Sequence, residues 1–323
     1  MKNAVDVVCL GEALVDFLPS ARGQLVRDVK QWTPCLGGAP ANVAVGLSRL
    51  GARSALVGVT GDDEFGHFLK NGLAREGVDV SRTRQTKEGK TGLGFVSLTL
   101  GGERSFTFYR TRAAETFLCA ADVRRARALI DRAKVLHVGT NSLIHAEARA
   151  GVLEAIERAH GRGQITSTDP NLRLHLWKDP SILKRLLHRL FRFCAVVKLS
   201  EEEILFATGT SKVDRALGFL EKKGVALAFV TRGPKGASGL FMGQRFDVPA
   251  KKVKVIDTTG AGDGFTAGLL FGLTRTYSSR EELELGDPDA IAGHARFGCV
   301  VGSAVVTRLG AVAGLPSRAE LFG

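Results

Sequence analysis

A glycine-rich stretch that could hold a phosphate group occupies residues 257–268, which read Asp-Thr-Thr-Gly-Ala-Gly-Asp-Gly-Phe-Thr-Ala-Gly. The apolar run Phe265 to Leu273 overlaps its end, so the stretch predicts a glycine loop that opens directly into a buried helix. Free backbone N–H groups of Gly260, Ala261 and Gly262 would then lie at the positive end of the helix dipole, where a phosphate binds without any side chain. The pattern is typical of an anion site.

One carboxylate stands beside this predicted anion site. Asp263 in the first helical turn could simply cap the helix, which is worth up to about 1 kcal/mol. Next to a phosphate its charge would repel the ligand, so a second role is favoured: accepting a proton from the group that attacks phosphorus. The loop and Asp263 together predict phosphoryl transfer to a hydroxyl group, with the helix cap as the alternative.

Two other glycine motifs are excluded by their spacing. A dinucleotide-binding fingerprint would need a third glycine where Phe265 stands, and it would follow the first strand instead of lying late in the chain. Gly89-Lys90-Thr91 ends like a Walker A loop, but Arg84 occupies the position of that motif's first glycine. Thr91 also begins a predicted strand and not a helix, which excludes the motif.

Length and composition indicate a cytoplasmic globular protein. The chain has 323 residues, of which 44% are hydrophobic, enough for one large α/β domain or two smaller ones. Asp6 interrupts the first apolar run, so no signal peptide is predicted, and no stretch approaches the ~20 apolar residues of a membrane span. The five cysteines lack C-x-x-C spacing, which predicts neither a disulfide framework nor a thiolate metal site.

The formal net charge of +12 permits nucleic acid or anionic small molecules as partners. The densest basic run, Lys184 to Arg192, places its apolar residues on one helical stripe and its basic residues on the other face. That arrangement favours a solvated helix face over a nucleic-acid surface. Neither a nucleic acid nor a membrane is therefore predicted as a partner.

Short apolar runs recur along the chain and predict strands that are buried on both faces of a parallel sheet. Most are followed by a segment with helical periodicity, which predicts an α/β fold with a mostly parallel central sheet between two layers of helices. The runs are Val5 to Leu10, Ser54 to Val59, Lys134 to Val138, Gln164 to Thr168, Cys194 to Leu199 and Val225 to Thr231.

Two segments break this rhythm and predict a second, smaller sheet. Residues from Leu93 to Arg110 alternate in period two on both sides of Gly101-Gly102, which is typical of a β-hairpin, and Val15 to Trp32 is also strand-like. We expect a lid over the active-site edge, contributed by about residues 13–36 and 90–112. Such a lid would exclude water from a reactive nucleotide.

Between the lid segments lies a predicted helix that starts after a double glycine. Pro40 suits the first helical position, and Gly51 suits the C-terminal stop. Asn42 in the first turn is either ordinary helix-start chemistry or a ligand-binding group. Gly37-Gly38 before it would let a ligand approach the backbone closely.

The combination of these motifs resembles a known family. Gly37-Gly38 with Asn42 and Ala44, followed far downstream by residues 257–263, is similar to the paired signatures of the PfkB (ribokinase-like) carbohydrate kinases. The similarity spans nearly the whole chain, which implies a single domain of residues 1–323 with a three-layer αβα ribokinase-like fold and a β-sheet lid. Four segments most resemble bacterial fructokinases: Gly11 to Asp16, Gly37 to Ala44, Gly102 to Arg110, and Asp169 to Arg173 with Leu176-Trp177.

The resemblance implies a role for each candidate site residue. Asp263 would take the proton of the sugar's primary hydroxyl, while the amides of Gly260, Ala261 and Gly262 would hold the charge of the transferred phosphoryl group. Without the motifs, Asp16 could equally be a turn residue and Arg173 a surface charge. The residues that would bind the sugar are Asp16, Gly37, Gly38, Asn42, Tyr109, Arg110, Asn171 and Arg173.

The resemblance also implies a nucleotide site and two metal ions. ATP contacts would come from Lys198, Ser200, Glu203, Thr231, Gly233 and Gly236, together with Gly260 and Gly262. Ser200 departs from the family's usual Asn-x-x-Glu motif, and Glu203 would hold Mg²⁺ through water. A monovalent cation such as K⁺ would bind Asp257 and the carbonyl groups of Thr259, Val305, Arg308 and Gly310.

These expectations converge on an ATP-dependent, Mg²⁺-requiring kinase that converts D-fructose to D-fructose 6-phosphate. 2-Keto-3-deoxygluconate kinase is the nearest alternative, because Tyr109, Arg110, Arg112 and Arg173 could grip a substrate carboxylate. Aminoimidazole riboside kinase is a third. A non-catalytic sugar-binding regulator is disfavoured because Asp263 and the glycine loop are both present. Whether two lids pair in a homodimer stays open, although exposed lid strands would need cover.

Overall fold

The apolar runs form strands and the periodic segments between them form helices. The structure is a computed structural model that describes residues 5–20, 23–98 and 104–322. The strands are β1 (Val7–Leu10), β2 (Leu14–Pro19), β3 (Trp32–Gly37), β4 (Ser54–Gly61), β5 (Thr83–Thr86), β6 (Leu93–Leu98), β7 (Arg104–Tyr109), β8 (Val135–Val138), β9 (Ile165–Thr168), β10 (Val196–Ser200), β11 (Leu227–Thr231), β12 (Ala237–Phe241) and β13 (Gln244–Val248).

The helices occupy the segments between these strands and most of the chain after them. They are α1 (Ala39–Arg49), α2 (Glu64–Arg75), α3 (Ala120–Ile130), α4 (Ala146–Gly161), α5 (Pro180–Phe191), α6 (Ile204–Thr208), α7 (Val213–Glu221), α8 (Ala261–Thr276), α9 (Arg280–Glu284), α10 (Pro288–Val305), α11 (Ala311–Gly314) and α12 (Arg318–Phe322). All six predicted strands are present, and five of them start one or two residues later than predicted.

The larger sheet contains nine strands in the order β13-β12-β11-β10-β9-β8-β1-β4-β5. Neighbouring strands from β11 to β5 run parallel, whereas β12 is antiparallel to both of its neighbours. β4 pairs with one side of β1 and β8 with the other. In sheets of this kind, ligands bind beyond the carboxyl ends of the strands at the point where the strand order reverses.

Two apolar layers cover the faces of the larger sheet. Residues of α1, α2, α8 and α10 pack on one face, among them Val43, Leu69, Leu269 and Ala295. Residues of α3, α4, α5 and α7 pack on the other, among them Ala126, Ile156, Leu187 and Leu217. The predicted α/β fold with a mostly parallel sheet between helices is confirmed. On α5 the basic residues Lys184, Arg185 and Arg189 are exposed, as predicted for a solvated face.

The smaller sheet has the strand order β3-β2-β6-β7, in which β2 runs parallel to β6 and the outer pairs are antiparallel. The prediction of strand character over Val15 to Trp32 holds in part: β2 ends at Pro19 and β3 begins at Trp32, with a 3₁₀ turn at Val26–Asp28 between them. The predicted Gly101-Gly102 turn lies outside the described residues. β6 and β7 occupy the two arms of the predicted hairpin.

Small residues bring three helices close together behind the site. A Cβ atom on Gly268 of α8 would lie 2.9 Å from the Cα atom of Gly298 on α10, so the two backbones are nearly in contact. Likewise, a Cβ atom on Gly46 of α1 would lie 2.7 Å from the Cβ atom of Ala267. This close packing holds α8 in a fixed position against α1 and α10. Because close-packed interiors transmit small shifts, a change at these contacts would also move the N-terminus of α8. Among the described residues, no helix combines the length and apolar character that a membrane crossing requires.

Candidate active site

A cavity of about 640 Å³ opens at the carboxyl edge of the larger sheet, where the smaller sheet faces it. It is lined by residues that follow β1, β8, β9, β10 and β11 and by the first turns of α1 and α8. The predicted site residues that line it are Asp16, Gly38, Asn42, Arg110, Asn171, Arg173, Lys198, Ser200, Glu203, Thr231, Gly233, Thr259, Gly260, Ala261, Gly262 and Asp263.

The first turns of α1 and α8 meet through a direct hydrogen bond. Asn42 Nδ2 donates to Asp263 Oδ2 over 2.8 Å, and both side chains are buried. Burial raises the pKa of Asp263 to about 6; the Asn42 hydrogen bond opposes this shift, and the negative charge of Asp169 adds to it. A carboxylate with a pKa near 6 is mostly ionised at neutral pH and can accept a proton, which a general base requires.

The glycine loop before α8 has the backbone geometry of an anion site. Gly260 is the N-cap residue, with φ 80°, a left-handed conformation that favours glycine. The amides at the start of a helix lack partners within it and lie at its positive end. The prediction of three free amides needs one correction, because Ala261 N–H donates to Thr258 O over 3.3 Å within the loop.

Asp16 lies on β2 of the smaller sheet and points into the cavity from the opposite side. A Cβ atom on Gly37 or Gly94 would overlap its carboxylate, so these two glycines leave the space that the carboxylate occupies. Burial raises the pKa of Asp16 to about 7, an effect that nearby Arg110 opposes and that the negative charge of Asp263 adds to. Gly37 does not itself line the cavity.

The end of β7 supplies one side chain to the cavity and sends the next one away from it. Because side chains alternate along a strand, Phe108 lines the cavity while Tyr109 lies on the outer face of the sheet. Tyr109 is 65% exposed and contacts Phe95 edge to face, with ring centroids 5.7 Å apart. The structure therefore does not bear out the prediction that Tyr109 binds the substrate, because its side chain points away from the cavity.

Arg110 is the second cavity residue at this end of β7. Its Nε donates to Glu115 Oε1 over 2.7 Å, and the two side chains are only 10% and 4% exposed. Burial alone would lower the pKa of Arg110, but the carboxylates of Glu115 and Glu12 raise it. Arg110 is thus a buried cation whose charge is balanced by carboxylates.

Asn171 and Arg173 follow β9 and lie where β9 and β10 open toward the glycine loop. Asn171 has φ 46°, an uncommon conformation for a residue other than glycine. Arg173 is half-buried, its Nη1 donates to Leu172 O over 3.1 Å, and it forms no ion pair within the described part of the chain. A guanidinium in this position can bind a phosphate through two parallel hydrogen bonds.

A buried ion pair lies beneath the glycine loop. Lys198 Nζ donates to Asp169 Oδ2 over 2.9 Å, and Thr266 Oγ1 donates to the same oxygen over 3.3 Å. Burial would lower the pKa of Lys198, yet the charges of Asp169 and Glu203 raise it, which keeps the ammonium protonated. A Cβ atom on Gly262 would lie 2.8 Å from Lys198 Nζ. Lys198 therefore places a fixed positive charge directly behind the loop.

Glu203 is held at the mouth of the cavity by two backbone amides. Its Oε1 accepts from Leu172 N–H over 2.6 Å, and its Oε2 accepts from Ser200 N–H over 2.8 Å. Within the described residues, no group of three carboxylate, histidine or cysteine side chains could surround a metal ion. Asp169 Oδ1 lines the same cavity, is buried, and has no hydrogen-bond partner in the described structure. The carboxylate oxygens of Glu203 and Asp169 fit a Mg²⁺ ion that is bound to the phosphates of a nucleotide and keeps its own water molecules.

A second cavity of about 370 Å³ adjoins the first and shares Thr231, Gly233 and Thr258 with it. Its walls are mainly apolar, with Val253, Val255, Phe265, Cys299 and Val306 among them. Gly236 lines this second cavity but not the first, and its φ of 89° and the nearby Val248 backbone explain the glycine. An apolar slot beside an anion loop can hold the flat base of a nucleotide.

Asp257 ties the glycine loop to the segment after α10. Its Oδ1 accepts from Thr259 N–H over 2.9 Å, and its Oδ2 accepts from Gly310 N–H over 2.8 Å. The chain between Val305 and Gly310 thus lies beside residues 257–260, the two segments in which the resemblance implies a monovalent cation site. Arg308 directs its guanidinium away to Glu320 Oε1, 2.7 Å away.

The sequence matches the family model described as pfkB family carbohydrate kinase over residues 4–318. This chain belongs to the pfkB family of carbohydrate kinases. Fructokinase-2 of Solanum habrochaites is 38% identical to the pfkB chain over 315 residues, which are 97% of this chain and 94% of the relative. The resemblance inferred from the motifs is confirmed.

Two solved structures share the whole pfkB fold, which confirms the predicted ribokinase-like architecture. The crystal structure of fructokinase from Xylella fastidiosa with bound ATP has a TM-score of 0.88 and 33% identity, and the match covers 98% of this chain and 96% of that one. Fructokinase from Vibrio cholerae O395, with fructose, ADP and calcium bound, has a TM-score of 0.86 and 33% identity, with 98% of each chain covered.

Several cavity residues of this pfkB chain are missing from the sequence-based assignment. Glu12 and Asp169 lie inside motifs that the resemblance identified, so their position within those motifs was the available signal. Asn141 follows β8, and a polar residue after a parallel strand is itself a weak signal. Glu115, which lies behind the cavity wall next to Arg110, and the apolar cavity carry no local signal, because distant segments place them.

Proposed function

We propose that this chain transfers the γ-phosphoryl group of ATP to the primary hydroxyl of D-fructose and forms D-fructose 6-phosphate. The observation that carries the proposal is the Asn42–Asp263 hydrogen bond of 2.8 Å, which holds a buried carboxylate at the glycine loop. The same cavity contains Asp16 on its opposite wall. The names and ligands of the two bacterial fructokinase structures support fructose as the acceptor.

In this proposal, the sugar lies between the smaller sheet and the first turn of α1. Asp16 accepts hydrogen bonds from sugar hydroxyls, and Asn42 and the Gly38 backbone fix the orientation. Asp263 takes the proton of the primary hydroxyl while the hydroxyl oxygen attacks the γ-phosphorus, and the bond between that phosphorus and the β–γ bridging oxygen breaks to release ADP. The amides of Gly260 and Gly262 then stabilise the charge on the transferred group, a contribution that is largest when the donors are fixed beforehand.

ATP would extend across both cavities. Its base fits the apolar cavity of about 370 Å³, and its phosphates fit the polar cavity next to Gly233 and Thr231. Arg173 and Lys198 would place positive charge near the γ-phosphate. Gly233 has open space where a side chain would be, so a phosphate can approach its backbone.

Mg²⁺ would supply charge neutralisation of the phosphates, with Glu203 binding its water molecules. K⁺ would bind the Asp257 carboxylate and the carbonyl groups of Thr259, Val305, Arg308 and Gly310, since hard cations prefer oxygen donors. Phosphorylation rates measured in potassium chloride, sodium chloride and choline chloride test the K⁺ assignment. Equal rates in the three salts would reject the K⁺ assignment.

We also place the enzyme in the cytoplasm and infer a homodimer that pairs the smaller sheets. The outer face of that sheet carries an aromatic patch, in which Phe17 stacks on Phe95 and Trp32 and Tyr109 contact Phe95 edge to face. Exposed apolar patches of this kind favour association. Analytical sedimentation of a Tyr109→Ser variant tests the homodimer, and a monomer is expected. Leu285 is 81% exposed and lies elsewhere on the surface, so the control variant Leu285→Ser should remain a dimer. A monomeric wild-type protein would reject the homodimer.

The catalytic proposal is tested by initial rates with Mg²⁺-ATP and a panel of acceptors. Fructose, 2-keto-3-deoxygluconate, ribose and aminoimidazole riboside are compared, with the Asp263→Asn variant as a matched blank. A preference for fructose that the variant lacks is expected. A preference for another acceptor would change the substrate and leave the kinase mechanism, while inactivity with every acceptor would favour the non-catalytic regulator.

A further inference from the structure

The buried pair of Arg110 and Glu115 lies at the sugar end of the cavity. Arg110 lines the cavity, whereas Glu115 lies behind it and outside the lining. The bond from Arg110 Nε to Glu115 Oε1 is 2.7 Å, and Glu115 Oε2 is buried without a hydrogen-bond partner in the described structure. A ligand therefore meets a guanidinium whose charge is already balanced from behind.

The rest of this wall is rich in hydrogen-bond acceptors. Glu12 and Asp16 line the cavity; Glu12 is buried and Asp16 is half-buried, and Asn141 Nδ2 donates to Glu12 Oε1 over 3.1 Å. Glu12 Oε2 has no partner among the described residues. Carboxylate oxygens accept the hydrogen bonds that sugar hydroxyls donate. The same oxygens repel a ligand that carries a carboxylate of its own.

The backbone leaves a specific space for the Glu115 carboxylate. A Cβ atom on Gly92 would lie 2.5 Å from Glu115 Oε1 and 2.8 Å from Oε2. Gly92 precedes β6 of the smaller sheet, so the sheet and the residues after β7 together form the slot. Any side chain at position 92 would push the carboxylate away from its present place beside Arg110.

We propose that Glu115 determines the choice between neutral sugars and sugar acids by balancing the charge of Arg110, an inference that rests on the proposed function. An arginine without this partner binds carboxylates through paired hydrogen bonds. With Glu115 in place, the wall keeps a surplus of negative charge and selects a neutral polyol. Glu115 acts through Arg110, so it is a positioning residue and not a catalytic one.

The test compares four forms of the full chain: wild type, Glu115→Gln, Glu115→Asp, and Glu115→Gln combined with Arg110→Met. The readouts are kcat/KM for fructose and the inhibition constant of 2-keto-3-deoxygluconate, a sugar acid, against fructose. We expect Glu115→Gln to lower that inhibition constant by about tenfold or more, since unbalanced charges in buried sites interact strongly. Glu115→Asp keeps the charge and should resemble the wild type, and the double variant should lose the gain.

Two results would overturn the inference: equal weakening of fructose and sugar-acid binding in Glu115→Gln, or a gain that survives removal of Arg110. Should Glu115→Gln fold poorly, Gly92→Ala provides an independent route, because it displaces the carboxylate without removing it. The same lowered inhibition constant is expected there. A wild type inactive on fructose would reject the proposed function itself, whereas an active enzyme with unchanged preference rejects only the role of Glu115.

Discussion

Asn42 and Asp263 are separated by 221 positions in the sequence, and their side chains are 2.8 Å apart. The bond joins the first turn of α1 to the first turn of α8, which are the two helix starts that the glycine motifs predicted. It holds the carboxylate in place and favours its ionised form, in opposition to the effect of burial on the pKa. Its effects can therefore be measured separately in turnover and in pH dependence.

Asp263→Asn should reduce kcat by roughly 10² to 10⁴, the usual contribution of a positioned general base. Fructose affinity should change little, because the amide can still accept the Asn42 hydrogen bond through its oxygen. Steady-state rates and calorimetric titration of fructose measure the two quantities. Wild-type turnover in this variant would exclude Asp263 as the base.

The pH profile of kcat/KM should fall on the acidic side, with an apparent pKa between about 6 and about 7, the values of Asp263 and Asp16. Both groups act as carboxylates, so activity is present above these pKa values and is lost as the pH falls through them. Asn42→Ala removes a hydrogen bond that favours the ionised form of Asp263, so the acidic limb should move to higher pH.

Asn141→Ala is the matched control for this shift, because Asn141 lies in the same cavity but donates to Glu12. Its acidic limb should coincide with that of the wild type. If the two variants moved the limb equally, the Asn42 hydrogen bond would not be what holds Asp263 in its ionised form.

Asp63→Ala should lower the free energy of unfolding by about 1 to 3 kcal/mol, since it removes a helix cap and leaves buried donors unpaired. Asp63 Oδ1 accepts from Gly66 N–H over 2.8 Å at the start of α2, and Oδ2 accepts from Thr91 N–H over 2.9 Å. Thermal and urea denaturation measure the change. Asp62→Ala next to it removes only weak, exposed ion pairs and should stay within about 0.5 kcal/mol.

Gly268→Ala should destabilise the protein by about 1 to 3 kcal/mol, because the new methyl group meets the backbone of Gly298 and cannot be accommodated by a side-chain rotation. Since α8 begins with the glycine loop, turnover should fall as well. The matched control is Gly293→Ala on α10, where nothing lies within 4 Å of the added atom. That change should stabilise slightly, as alanine favours helices over glycine; equal destabilisation in both variants would contradict the packing argument.

The sequence predicts the parts of this protein whose signal is local. Strand runs, the glycine loop and the helix between Pro40 and Gly51 each carry their pattern in adjacent residues, and the structure contains all of them. The motif resemblance predicts Tyr109 as a substrate-binding residue because it includes neighbouring positions together, whereas the pleat of β7 directs alternate side chains to opposite faces. The slot behind Arg110 depends on Gly92 and Glu115 in separate segments, so no local pattern predicts it.

The packing of Gly46 on α1 against Ala267 on α8 also has a consequence for synthesis on the ribosome. The side of α1 that packs on α8 stays uncovered until that helix is translated, more than two hundred residues later. At roughly 5–20 residues per second, that interval lasts on the order of ten to forty seconds. During this interval the nascent chain exposes the side of α1 that α8 later covers, which makes that side a natural point of contact for chaperones.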